Sequence, residues 1–240
     1  MGETPSQTSD TLPLDTREGV FVVIPAFNEA PAIAEVVRNV RAFYPNVVVV
    51  DDGSTDATFE QAGASATYTL RHVVNRGQGA ALQTGITFAL RQGARFVVSF
   101  DADGQHEPAD IAALIAPIHR GECDITLGSR FLESSCEMPT TRRILLRLGV
   151  LFTRIVSGVA VTDTHNGLRA FSRRAAERID ITLDRMAHAS ELIDQVKRTG
   201  LVFREVPVRI RYTEYSLAKG QSARGAVRIL VHYLFGRMLR

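Results

Sequence analysis

The sequence predicts an α/β protein with a mainly parallel sheet flanked by helices on both faces, and three observations carry that expectation. Short β-branched runs recur along the chain, segments of helical periodicity lie between them, and polar motifs follow directly on the apolar runs. Continuous apolar runs suit strands buried on both faces, and strand–helix alternation implies parallel neighbours joined by crossover helices.

Taken in order, the expected strands are VFVVIP (20–25), NVVVVDD (46–52), FVVSFD (96–101) and DITLGSR (124–130). Between them Ile33, Val36, Val37 and Val40 recur at helical spacing, as do Leu82, Ile86, Ala89 and Leu90, and again Ile111, Leu114, Ile115 and Ile118. Beyond residue 131 the character changes. RRILLRLGVLFTRIV (142–156) and ARGAVRILVHYLFGRMLR (223–240) are apolar stripes with interspersed arginines. They read as C-terminal amphipathic helices that either complete the core or rest on a membrane surface. Residues 1–19 are polar and read as a disordered, mobile tail. The expected organisation is that tail, one α/β domain over 20–212 and an amphipathic extension over 213–240.

Composition removes several function classes. With 240 residues, 45% of them hydrophobic, the chain can bury a full core. A net charge of +2 offers no bulk attraction for nucleic acid. Cys123 and Cys136 lack CxxC spacing and nearby histidines, which argues against a disulfide framework or a zinc site and fits a reducing cytoplasm. No stretch supplies the roughly twenty uninterrupted apolar residues of a spanning helix.

In open parallel sheets, ligands gather beyond the carboxyl ends of the strands. PAFNE (25–29), DDGSTD (51–56) and DADGQ (101–105) are therefore expected to converge on one crevice. Asp101 and Asp103 repel each other unless a cation sits between them. Their hard oxygens suit magnesium or manganese, which keep positions open for phosphate oxygens and water, and Gln105 offers another oxygen. The alternative is a plain Asp- and Gly-rich turn. In DDGSTD, Gly53 and Ser54 form a turn and Thr55 or Asp56 can cap the next helix, while an aspartate can accept the imide or amino hydrogens of a base. NRGQGAALQTG (75–85) brings Arg76, Gly77 and Gly79 to a helix start, where backbone N–H groups suit phosphate. It lacks the GxGxxG and P-loop lysine patterns.

VVIPAFNEA, VVVDDGSTDAT, NRGQGAALQTG, FDADGQHEP, GSR and DTHNGLRAF follow one another over about residues 20–212. In these motifs and their order the chain resembles glycosyltransferase family 2 enzymes of the Rossmann-like GT-A fold, in particular polyprenyl-phosphate hexosyltransferases of the dolichyl-phosphate mannose synthase type. The resemblance implies that Pro25, Ala26, Asn28, Glu29 and Asp52 hold a UDP-, GDP- or dTDP-hexose donor, with Gly53, Ser54, Arg76, Gly79 and Ala102 around them. It implies that Asp101, Asp103 and Gln105 hold Mg2+ or Mn2+ on the diphosphate, and that attack from the opposite face inverts the anomeric carbon. Arg130 of GSR would face an acceptor phosphate, with Arg142 or Arg143 as a second contact.

A polyprenyl phosphate is already ionised and attacks unaided; a saccharide hydroxyl needs a base, for which Asp163 and Glu191 are the candidates. His106, His165 and His188 are weaker ones. The family pattern places an arginine after a VPV-type strand; here VPVRIRYTEYSLAKGQSA offers Arg211 or Lys219 instead. The resemblance further implies a cytoplasmic enzyme, peripheral at the inner membrane face, with a small integral membrane protein as an optional partner. Competing expectations are a transferase acting on a saccharide hydroxyl in cell-surface polysaccharide or glycolipid assembly, a sugar-phosphate nucleotidyltransferase, and a non-catalytic nucleotide-sugar-binding protein.

Overall fold

The structure, a computed structural model, describes residues 14–132, 147, 150, 154, 158–164, 166–182 and 188–211. Within them β1 (Val20–Ala26), β2 (Asn46–Asp51), β3 (Tyr68–Arg71) and β4 (Phe96–Ser99) are followed by β5 (Ile125–Ser129), β6 (Arg169–Ser172) and β7 (Phe203–Pro207). They form one sheet in the order β3-β2-β1-β4-β6-β5-β7. Every pairing is parallel except those of β6, which runs antiparallel to both β4 and β5. The six parallel strands therefore point their carboxyl ends to one edge, and the residues that lead into β6 arrive at that same edge.

Helices α1 (Leu14–Glu18), α2 (Ile33–Arg41), α3 (Thr58–Ser65), α4 (Gln78–Arg91), α5 (Asp110–His119), α6 (Arg173–Arg178) and α7 (His188–Thr199) cover the sheet. Side chains alternate across a strand, so β1 feeds two cores. Val20, Val22 and Ile24 pack with Ile33, Val36, Val37 and Val40 of α2 and with Ile111, Leu114 and Ile115 of α5. Phe21 and Val23 pack on the other face with Leu82, Ile86 and Ala89 of α4 and with Leu192 and Val196 of α7. Helix α4 lies so close to the sheet that a Cβ on Gly85 would stand 2.2 Å from Cγ1 of Val23.

Two boundaries differ from the sequence expectation, and two strands lie outside it. The tail does not extend to residue 19: Leu14–Glu18 are helical, Thr16 is buried, and the carbonyl of Glu18 accepts from the Asn46 side chain at 2.7 Å. β4 stops at Ser99, although the Phe100 N–H still donates to the Val23 carbonyl, so Asp101 belongs to the loop. β3 and β6 escape the apolar-run criterion because β3 is a half-buried edge strand and β6 is a four-residue strand that begins with Arg169. The amphipathic extension over 213–240, with Lys219, lies outside the described residues, as do Arg142, Arg143 and His165.

Candidate active site

The loops after β1 and β2 are latched to each other. Asn28 adopts a left-handed backbone (φ 53°), which an asparagine tolerates better than most residues. Its N–H donates to Oγ of Ser54 at 2.9 Å, and its Oδ1 accepts from the Thr55 N–H at 3.0 Å. The next two amides continue the pattern: Glu29 N–H donates to Thr58 Oγ1 at 2.8 Å and Ala30 N–H to Asp56 Oδ2 at 3.2 Å. PAFNE and DDGSTD thus come together as expected, through backbone amides meeting short polar side chains. Pro25 and Ala26, beneath this latch, are strand residues paired with Val50 and Asp51.

Asp52 is turned inward. Its Oδ1 takes a contact from Nδ1 of His72 at 2.7 Å and a hydrogen bond from the Arg76 N–H at 3.0 Å, and its Oδ2 accepts from the Gly77 N–H at 2.6 Å. Nε2 of His72 reaches Oγ1 of Thr84 at 2.9 Å. Both oxygens of this buried carboxylate therefore fold the 72–77 loop onto β2, where the sequence alone suggests a group displayed to a base. Gly53 makes that approach possible: a Cβ there would stand 2.9 Å from the Asn75 nitrogen, and its φ of 73° is one that L side chains rarely adopt. The neighbouring Asp51 is also buried, beside Nε of Arg71 at 3.1 Å, with its Oδ1 accepting from the Ser54 N–H. Gly79 is buried in the first turn of α4.

Asp101 and Asp103 occupy different environments despite their spacing. Oδ1 of Asp101 accepts from Nε2 of Gln78 at 2.9 Å, and Oδ2 contacts Nε2 of His106 at 3.0 Å. Burial alone would raise its pKa, but the His106 hydrogen bond and the charges of His106, Arg169 and His188 hold it below the usual carboxylate range. Asp103 moves the other way: burial and then the negative charge of Asp101 push it up, with Glu29 adding to the effect. Its Oδ1 accepts the Gln105 N–H at 3.1 Å. Ala102 between them is buried. A Cβ on Gly167 would collide with the Asp101 carboxylate at 2.1 Å, so only glycine lets the loop before β6 lie against it.

That loop builds the other half of the edge. Arg130, directly after β5, is buried and gives Nε to Oδ2 of Asp163 at 2.6 Å, and its N–H donates to the same oxygen at 3.2 Å. Glu205 of β7 accepts from the Thr162 N–H, the Thr162 hydroxyl and the Asp163 N–H. Arg169 of β6 donates Nε to the Asn166 carbonyl and Nη2 to the Thr164 carbonyl, both at 3.0 Å. Burial pushes its guanidinium down, the charges of Asp101 and Asp163 offset part of that, and the result is about 10. Glu191 lies in α7 and accepts from Thr182, through its hydroxyl at 2.7 Å and its N–H at 3.2 Å.

Sequence reasoning overlooked Gln78, His72, Arg169 and Glu205. Gln78 is the first residue of α4, immediately after the quoted Arg76–Gly77 step, and an amide at a helix start was the available signal. Arg169 stands in the quoted DTHNGLRAF motif, where a charge within a strand was the signal. Nothing local marks His72 or Glu205, because their partners lie 20 and more than 40 residues away.

Comparison with known proteins accords with this architecture. Residues 21–180 match the family model described as glycosyl transferase family 2. The chain is 34% identical to the UDP-N-acetylglucosamine–dolichyl-phosphate N-acetylglucosaminyltransferase of Methanococcus voltae, over 91% of this chain and 96% of that one. It is 30% identical to the polyprenol monophosphomannose synthase of Mycolicibacterium smegmatis, over 95% and 87% of the two chains. The fold resembles that of glucosyl-3-phosphoglycerate synthase from Mycobacterium tuberculosis, solved with Mn2+, UDP and glucosyl-3-phosphoglycerate. The TM-score is 0.69 at 19% identity, covering 98% of this chain and 85% of the other. Sheet order, converging loops and family match lead to one conclusion: the chain belongs to glycosyl transferase family 2, and it is a glycosyltransferase of GT-A fold.

Proposed function

We propose that this enzyme transfers a hexose from a nucleotide sugar to a polyprenyl phosphate, with inversion and with a divalent metal, at the cytoplasmic face of the membrane. The observation that carries the acceptor reading is the state of the two acids that a hydroxyl acceptor would need. Asp163 is bound to Arg130 inside the protein, and Glu191 is bound to Thr182. A phosphate acceptor is ionised near neutral pH and attacks without a base. The relatives named above act on dolichyl phosphate or make a polyprenol monophosphate sugar, which supports the same acceptor class.

The residues fit a hard cation. Asp103 stands beside the negative charge of Asp101, which raises its pKa and which a divalent ion would relieve. Asp103, with Asp101 and Gln105 beside it, would hold Mg2+ or Mn2+, and the ion would supply Lewis-acid stabilisation to the departing nucleotide diphosphate. Asp101, fastened by Gln78 and His106, keeps its place without relying on the ion. Asn28, Glu29, Ser54 and the amide-bearing 76–79 segment would seat the nucleotide sugar. Here Asp52 acts on the donor through the loop it folds. Arg130, whose Nε and backbone N–H hold Asp163, would turn its guanidinium to an acceptor phosphate.

A panel of UDP-, GDP- and dTDP-hexoses, incubated with and without polyprenyl phosphate, tests the proposal. Transfer that requires the lipid phosphate and stops in excess EDTA is expected. Transfer to a saccharide hydroxyl in its place, or full activity in EDTA, would overturn it.

A further inference from the structure

The carboxyl edge that carries the site also carries an apolar rim. Val73 is 99% exposed and Val74 63%, two adjacent β-branched residues at the tip of the loop between β3 and α4. Phe27 follows β1 and is 41% exposed; Leu132 follows β5 and is 47% exposed. The other large exposed apolar residues among those described, Phe43 and Val202, precede β2 and β7 at the opposite edge. From β3 to β5 the sheet order counts five strand spacings of about 4.8 Å, so the rim spans roughly 24 Å across the mouth of the site.

The tip is presented stiffly. Asp52 holds the Arg76 and Gly77 amides, and Gly53 lies against the backbone of Val74 and Asn75. Fixing a loop this firmly while leaving two valines in water gains nothing for the isolated fold, since neither valine reaches a core. In RHVVNR the valines stand between Arg71, whose Nε also contacts Asp51, and Arg76, while both ring nitrogens of His72 turn inward to Asp52 and Thr84. Exposed apolar residues in a stretch that carries positive charge match the interfacial zone of an anionic bilayer, where side chains enter the acyl boundary and positive charge lies near headgroup phosphate.

We propose that Val73 and Val74, with Phe27 and Leu132 along the same edge, form the surface by which this protein docks on an anionic lipid bilayer, mouth downward. The orientation presents the site to a phosphate that sits at the membrane surface; in this it rests on the acceptor class proposed above. The docking surface is distinct from the amphipathic segment 223–240, which the sequence alone suggests for that role.

The experiment floats the full chain and the Val73→Ser/Val74→Ser variant with liposomes of phosphatidylcholine alone or with phosphatidylglycerol, at low and high salt. Transfer to long-chain polyprenyl phosphate in liposomes and to a short-chain, water-soluble isoprenoid phosphate is measured alongside. The wild type should float with anionic liposomes, the variant should bind roughly ten-fold less, and salt should weaken both. The variant should lose transfer in liposomes and keep transfer to the short-chain acceptor, which also shows that it is folded. Equal flotation of both proteins, or no flotation of the wild type, would overturn the proposal. Weakened nucleotide-sugar binding with unchanged flotation would overturn it too, placing the valines against the nucleotide. Valine-dependent flotation without transfer to any isoprenoid phosphate would sustain the docking surface and sink the acceptor class instead.

Discussion

The two halves of the carboxyl edge are held together by different forces. On the side of β1, β2 and β3, backbone amides of one loop meet short polar side chains of the next: Asn28 with Ser54, Glu29 with Thr58, Ala30 with Asp56, and the 76–77 amides with Asp52. On the side of β5, β6 and β7, the elements are charges inside the protein, with Arg130, Asp163, Arg169 and Glu205 within one cluster. A latch of amides on short side chains loses only modest hydrogen bonds when a member is removed, the stronger ones where the acceptor is a carboxylate. A buried ion pair leaves an uncompensated charge when either member is removed. The first half rests on many small contacts, and the second on two buried arginines and the groups that surround them.

That contrast is broken most easily at Asp163. Asp163→Ala should lower stability by about 3–5 kcal/mol, because it strands the Arg130 guanidinium in a buried site. Adding Arg130→Met should recover a large part of the loss. Denaturant unfolding of the single and double variants checks this, and a cost below about 1 kcal/mol would show that charge does not hold this half together.

Asp103→Asn comes next and tests the metal site proposed between the halves. Turnover should fall about 10²-fold or more, as for other strong electrostatic contacts of a transition state, with little change in the melting temperature. A titration with Mg2+ and Mn2+ should show weaker metal dependence in the variant. Unchanged turnover would remove Asp103 from the site.

Asp52→Ala tests the latch. Removing an acceptor that serves two amides and a histidine should cost roughly 1–3 kcal/mol and raise the donor KM more than it lowers kcat. Donor affinity by calorimetry together with a melt sharpens the comparison: a loss of affinity without loss of stability would mean that Asp52 touches the donor directly.

The smallest effect is expected at Asp124. This carboxylate makes paired contacts to Arg174 at 2.9 and 2.8 Å and accepts the Val202 N–H at 3.0 Å. Burial raises its pKa, but the Arg174 bond and the Val202 amide outweigh it and the net shift is downward. A folded pKa below the unfolded value means that its stabilisation is present above about pH 4 and is lost as pH falls through the folded value. Asp124→Asn should cost about 0.2–1 kcal/mol at neutral pH, since Arg174 is largely exposed, and nothing once both forms are protonated. Unfolding curves at pH 7 and in acid settle it.

Much of the half built on β1 to β4 is legible along the chain. Val22, Val23, Val48, Val49, Val97 and Val98 lie in continuous apolar runs, and each run leads to a polar motif, so the carboxyl-end rule alone brings Asn28, Asp52 and Asp101 to one crevice. The half built on β5 to β7 is less legible. Arg169 contradicts the expectation that a strand is apolar, and it is tolerated because two carbonyls and two acids surround it. Asp163 and Glu191 read as candidate bases along the chain, and only the assembled structure reveals their partners, Arg130 and Thr182. The direction in which Asp52 faces is likewise invisible in DDGSTD, because it depends on a loop 20 residues later.

The sequence by itself determined the α/β class, the parallel core and the carboxyl-edge position of the polar motifs, because burial on two faces and short-range motif spacing are written in neighbouring residues. Tertiary structure alone decided the antiparallel insertion of β6 between β4 and β5. That reversal carries the 158–168 segment to the carboxyl edge, lays Gly167 against Asp101 and encloses Arg130 with Asp163. No local pattern encodes it, because the direction of a four-residue strand is set by partners some 45 to 75 residues away in the chain, and only the assembled sheet selects among them.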